Sequence, residues 1–72
     1  MNVAEQVIKK CGGAAKVADM LGVHVTRVYR WTYPESKGGT GGRIPGFRQQ
    51  QLLRAAKEKG ITLKPADFFE AA

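Results

Sequence analysis

One cysteine and one histidine are all that 72 residues contain of the two side chains that most often hold metals or carry covalent chemistry. Cys11 alone excludes an intramolecular disulfide. With His24 on a different segment, it makes neither a metal-ligand set nor a nucleophile-base pair. The six acidic residues are scattered rather than paired, so an enzyme is the reading the sequence supports least, and no metal or cofactor is expected. No apolar run approaches the roughly 18 residues a membrane helix needs, and no secretory apolar segment opens the chain. A cytoplasmic location is therefore the expectation. Strand-like alternation and internal repeats are also missing.

What is present fits a single small domain over residues 1–72. At 43% hydrophobic and 25% charged, the chain has enough Val, Ile, Leu and Phe to fold. Its core is limited by length, which makes homodimerisation a plausible further source of stability. Cys11 reads as a small buried apolar residue. Twelve Lys and Arg against six Asp and Glu give a net charge of +6. The excess is local. Arg27, Arg30, Lys37, Arg43 and Arg48 stand against Glu35 alone between residues 24 and 48, whereas each flank is nearly balanced. So concentrated a positive charge in so small a domain points to a polyanion partner, the alternative being a solvated face.

The apolar spacing predicts an all-α bundle of four to five short helices. NVAEQVIKKCG reads as a helix that Asn2 caps, with Val3, Val7, Ala4, Ile8 and Cys11 inward and Gly12 as its stop. AAKVADML is a second, stopped by Gly22, and VTRVYRWT a third, ended ahead of Pro34. A fourth spans about 46–59, opened by Pro45, with Leu52, Leu53 and Ala56 inward. Ile61 and Leu63 lie on an extended piece before a short C-terminal turn over 65–70. There the adjacent Phe68 and Phe69 point different ways, one home and one toward a partner chain.

Residues 13–32 are the most informative. A helix-turn-helix unit needs a small residue where its helices cross, a glycine able to take positive φ in the turn, and apolar anchors at fixed offsets. Ala18 and Gly22 supply the first two. Val17, Leu21, Val23, Val28 and Trp31 supply the anchors. With Val28 inward and about 100° per residue, Thr26 and Arg30 fall on the outer face of the helix 25–31, with Arg27 and Tyr29 on its shoulders. An α-helix fits the DNA major groove, where a guanidinium can pair with guanine and a threonine can touch thymine. Arg30 and Thr26 are read as base contacts. His24, Arg27 and Tyr29 are read as phosphate contacts, against the alternatives of a solvated face and, for Tyr29, packing on the following loop. His24 stands where Ser or Thr commonly caps a helix and is a poorer cap than either; a phosphate contact or a tolerated surface residue would each account for it.

These residues resemble the helix-turn-helix proteins of the phage lambda Cro and repressor class, small prophage Cro-like and YdaS-type antitoxin regulators in particular. LGV at 21–23, VYRW at 28–31, IP at 44–45 and GITLKPADF at 60–68 carry the resemblance, which covers about residues 3–69. It implies a lambda repressor-like, five-helix domain that binds operator DNA as a homodimer and represses or tunes transcription. Carried over by position, it adds Val25 to Thr26 and Arg30 as a base reader. Val25 departs from the polar residue often found there, and would contact a thymine methyl or pack. The implied function is sequence-specific binding of double-stranded DNA at a palindromic operator, by a repressor of transcription. The alternative is an antitoxin or other interaction module that masks a partner protein and regulates its own operon.

YPESKGGTGGRIPG, residues 33–46, holds five of the nine glycines. A nucleotide-binding loop would need a strand before it and a Lys-Ser/Thr pair after it, and neither is there. A domain linker is excluded because too few residues follow to fold alone. The Gly-rich loop 33–43 is instead a long helix-to-helix connection. Lys37, Arg43 and the amides of Gly38 to Gly42, those of Gly38 and Gly39 included, are expected along a DNA phosphate backbone or the edge of the minor groove, mobile when free and ordered when bound. A loop touching nothing is the alternative.

Overall fold

Most helices begin and end where the sequence gives the backbone a reason. The structure, a computed structural model, describes residues 2–69, and among them it is all-helical, with four α-helices and no strand. In α1 (Val3–Lys10), the Asn2 side chain accepts from the Glu5 amide at 2.9 Å while the Glu5 carboxylate accepts from the Asn2 amide at 3.0 Å. That reciprocal pair satisfies two donors the first turn leaves open. Helix α2 (Ala14–Leu21) ends at Gly22, whose φ of 68° is the left-handed conformation only glycine takes cheaply. The Val23 amide then donates to the Ala18 carbonyl at 3.0 Å, and the Gly22 amide to that of Asp19 at 3.3 Å. This closure needs no residue beyond the turn itself.

Helix α3 (Val25–Arg30) is one residue shorter than the expected 25–31, with Trp31 as its cap. Helix α4 (Gly46–Glu58) matches its expected span to one residue. Pro45 is not in its first turn, however. Its ψ of 142° places it outside, and its carbonyl accepts the opening bonds from the Arg48 and Gln49 amides, each at 2.9 Å. Two 3₁₀ turns complete the chain, one at Glu35–Lys37 inside the loop and one at Pro65–Phe68. The latter is the expected C-terminal turn; Glu70, its expected last residue, lies outside the described residues.

Helix α2 lies against α3 and α4, while α1 lies against the closing turn and α2. Among the described helices α3 has α2 as its neighbour and no other. Val7, Val17, Val28 and Leu52 are fully buried, each contributing about 1.5–3 kcal/mol of apolar burial. Ala18 is buried between helices, as a close crossing requires, and Trp31 and Ile44 seal the core on the loop side. Phe68 is buried and Phe69 is 72% exposed, so the pair divides as its adjacency implied. Cys11 is buried, and burial first, then the Asp67 charge, pushes its thiol pKa up. Asp67 accepts from the Lys64 amide at 2.8 Å and from Lys10 Nζ at 2.9 Å, which hold its carboxyl below the usual range. The closing turn is thereby pinned to the end of α1. No helix of the described residues is long and apolar enough to cross a membrane.

Candidate nucleic-acid interface

The outer face of α3 is built as its periodicity requires. Val28 is fully buried, and Thr26, Arg27, Tyr29 and Arg30 are exposed around it. Val25 is half-buried and packs against the core, which leaves part of its side chain outward. His24 is exposed, and its Nδ1 accepts from the Thr26 amide at 3.1 Å. The imidazole therefore does the capping that serine or threonine commonly does, and Nε2 is left as the outward donor. Tyr29, 46% exposed, lines an open groove with Lys9, Gly12 and Ala14. Thr32, just after α3, lines the same groove.

The glycine-rich loop has a defined internal order. Its amides are used at home: Lys37 and Gly39 donate to the Pro34 carbonyl, Gly38 to Glu35 and Gly41 to Tyr33, all between 2.9 and 3.1 Å. The amides of Gly38 and Gly39, expected on a phosphate, are thus already paired within the loop. What this segment can offer an anion is the side chains of Lys37 and Arg43, both exposed. Gly39 lies directly on Tyr33, where a Cβ would overlap the Tyr33 backbone carbonyl. Gly42 is buried at φ +93°, where a Cβ would stand 2.9 Å from the Asn2 side chain. These two glycines are close-approach residues, one within the loop and one against α1.

The loop also finishes α3. The Arg30 carbonyl accepts from the Thr40 amide at 3.1 Å, the Trp31 carbonyl from the Thr40 hydroxyl at 3.1 Å, and the Thr32 carbonyl from Asn2 Nδ2 at 3.2 Å. The Arg43 carbonyl is the second acceptor within reach of the Thr40 hydroxyl, whose single proton it shares with the Trp31 carbonyl. Arg30 and Arg43, thirteen positions apart, are thus joined at the backbone through one residue. On the far side the Ala4 amide donates to the Gly42 carbonyl at 3.0 Å, which seats the loop on the first turn of α1.

Among the described residues Lys10–Asp67 is the one ion pair, so Arg27, Arg30, Lys37 and Arg43 face solvent without an acidic partner. Glu35, the loop's one acid, lies against Gly41. Arg48 is engaged on α4, its guanidinium 4.7 Å from the centre of the Phe47 ring and bonded to Gln51 at 2.8 Å. Sequence reading missed Thr40 and the second bond of Asn2. No spacing rule could have found them, because each acts on a partner far along the chain. No three His, Cys, Asp or Glu side chains gather among the described residues where a metal ion could sit. Comparison with protein-family models, curated proteins and solved structures finds no match to this chain.

Proposed function

We propose that the chain is a sequence-specific double-stranded DNA-binding regulator of transcription, a repressor acting as a homodimer, with α2, the Gly22 turn and α3 as its helix-turn-helix. The observation that carries this is that Arg27, Arg30, Lys37 and Arg43 are exposed without an acidic partner, two on α3 and two on the loop that follows it. A helix so placed suits a major groove, with Arg30 and Thr26 at base edges and the exposed part of Val25 beside a thymine methyl. His24 Nε2, Arg27, Tyr29, Lys37 and Arg43 suit phosphates. A symmetric dimer would set two such helices about one DNA turn apart on a palindrome.

Selection of bound sequences from random duplex DNA at two salt concentrations tests the reading. An enriched palindrome is expected; uniform, salt-sensitive binding would remove sequence specificity from it. Arg30→Ala should then weaken the enriched site by about 1–3 kcal/mol and relax one base position, whereas Lys37→Ala or Arg43→Ala should weaken all sequences alike and flatten the salt slope. Unchanged operator preference in Arg30→Ala would assign readout elsewhere.

A second reading, a module that masks a partner protein, is favoured by Phe69. Its ring is exposed at the mouth of a groove of about 650 Å³ shared with Asn2, Val3, Arg43 and Phe68. Co-purification at fixed stoichiometry with the product of an adjacent gene, lost in Phe69→Ser, would support it.

A further inference from the structure

We infer that Asn2 and Thr40 are positioning residues that set the pose of α3 relative to Arg43, and through it the sequence specificity of the proposed DNA surface; this rests on the DNA-binding reading above. Helix α3 has six residues; Val28 and the cap Trp31 anchor its inner side in the core, and its orientation about that anchor depends on what its terminal carbonyls bond to. Three successive carbonyls there take donors from distant residues: that of Arg30 from the Thr40 amide, beside a longer local bond from the Tyr33 amide at 3.3 Å, that of Trp31 from the Thr40 hydroxyl, and that of Thr32 from Asn2 Nδ2. Such carbonyls commonly turn to water or to a local glycine. Here they are fixed by two residues that lie on either side of the helix in sequence.

Both residues have a second attachment. The Oδ1 of Asn2 caps α1 and its side chain is backed by Gly42, while the Thr40 hydroxyl lies between the carbonyls of Trp31 and Arg43. The start of α1, the end of α3 and the backbone that carries Arg43 therefore share one set of bonds. Their shared role follows from tolerance. A bidentate contact from Arg30 to a base edge fails with displacements of about half an ångström, whereas attraction of Lys37 and Arg43 to phosphates is long-ranged and forgiving. Loosening the clamp should therefore cost specific binding and spare non-specific binding, although neither residue needs to touch DNA.

The test uses the full chain and fluorescence anisotropy with two duplexes of equal length at one salt concentration, the one enriched by the wild type and a random sequence. Thr40→Val keeps shape without the hydroxyl, Thr40→Ser keeps the hydroxyl, and Asn2→Ser keeps a cap oxygen without the amide donor. Thr40→Val and Asn2→Ser should each bind the enriched duplex about tenfold more weakly, as loss of one hydrogen bond to a held carbonyl allows. Both should bind the random duplex within about twofold of wild type, and Thr40→Ser should match wild type on both. The inference is overturned if Thr40→Val binds the enriched duplex normally, if serine at 40 does not rescue it, or if both duplexes weaken together in step with a lowered melting temperature. Should Thr40→Val fail to fold, Asn2→Ser decides alone by the same two duplexes. A wild-type chain that enriches no duplex defeats the DNA reading itself, and that is seen before any variant is made.

Discussion

Helices α2 and α3 end in opposite ways. The end of α2 is closed by its own next two residues, Gly22 and Val23, through bonds that span at most five positions. That of α3 has local bonds as well, from the Trp31, Thr32 and Tyr33 amides to the carbonyls of Val28, Tyr29 and Arg30, but it also takes bonds from Thr40, on the far side of a glycine-rich loop, and from Asn2, thirty positions upstream of the carbonyl it serves. A local ending can be written into a few letters and survives changes elsewhere. A non-local ending forms only when the whole domain has folded, and it ties the pose of one helix to the integrity of distant segments. The candidate DNA-reading surface is built on the second kind.

The contrast can be broken at several points, and the largest effect should come from Gly39→Ala. Its Cβ would overlap the Tyr33 backbone, which cannot rotate away as a side chain could. A cost of about 3 kcal/mol in urea denaturation is expected, with faster exchange of the Thr40 amide; a change under about 0.5 kcal/mol would mean that the loop does not need this approach. Gly22→Ala should cost less, about 1–2 kcal/mol for a left-handed non-glycine, because open space surrounds the site. Its amide-shift changes should stay within the α2–α3 turn. If they reach the loop, the ending of α2 is less local than its bonds imply.

Thr40→Val is expected to cost about 1 kcal/mol, one hydroxyl bond, and to shift the amides of residues 31–33 and 43–44 together. Shifts confined to residues 39–41 would sever the proposed link between α3 and Arg43. Smallest and most conditional is Asp67→Asn, which tests the bond that pins the closing turn to the end of α1. The folded pKa of Asp67 is depressed, so its contribution is present at neutral pH and is lost as pH falls through that depressed value. Wild type should melt slightly above Asp67→Asn at pH 7, with the gap closing below the usual carboxylate range. A gap that widened on acidification would contradict the assignment.

Much of the fold was legible because its cues are short-ranged. Asn2 with Glu5 three positions on, Gly22 four after Ala18, and the inward spacing of Val7, Val17, Val28 and Leu52 each state a preference the backbone follows locally. Phe68 and Phe69 had to separate because neighbours in a tight turn cannot face the same way. The exposed face of α3 was readable for the same reason, since burying Val28 turns Thr26 and Arg30 outward. Other features were not legible. His24 was an unfavourable cap by residue type, yet its Nδ1 stands where the cap oxygen would. The glycine run looked like freedom, whereas Gly39 and Gly42 are places where the chain touches itself.

By itself the sequence determined an all-helical chain, the residues that face inward, and a positive charge concentrated in its middle third, because helix periodicity, capping and charge are properties of neighbouring residues. The tertiary structure alone decided that the loop's amides are committed within it and that Asn2 and Thr40 bond to the end of α3. Those outcomes depend on bonds between groups far apart in sequence, whose geometry exists only after the core has brought them together.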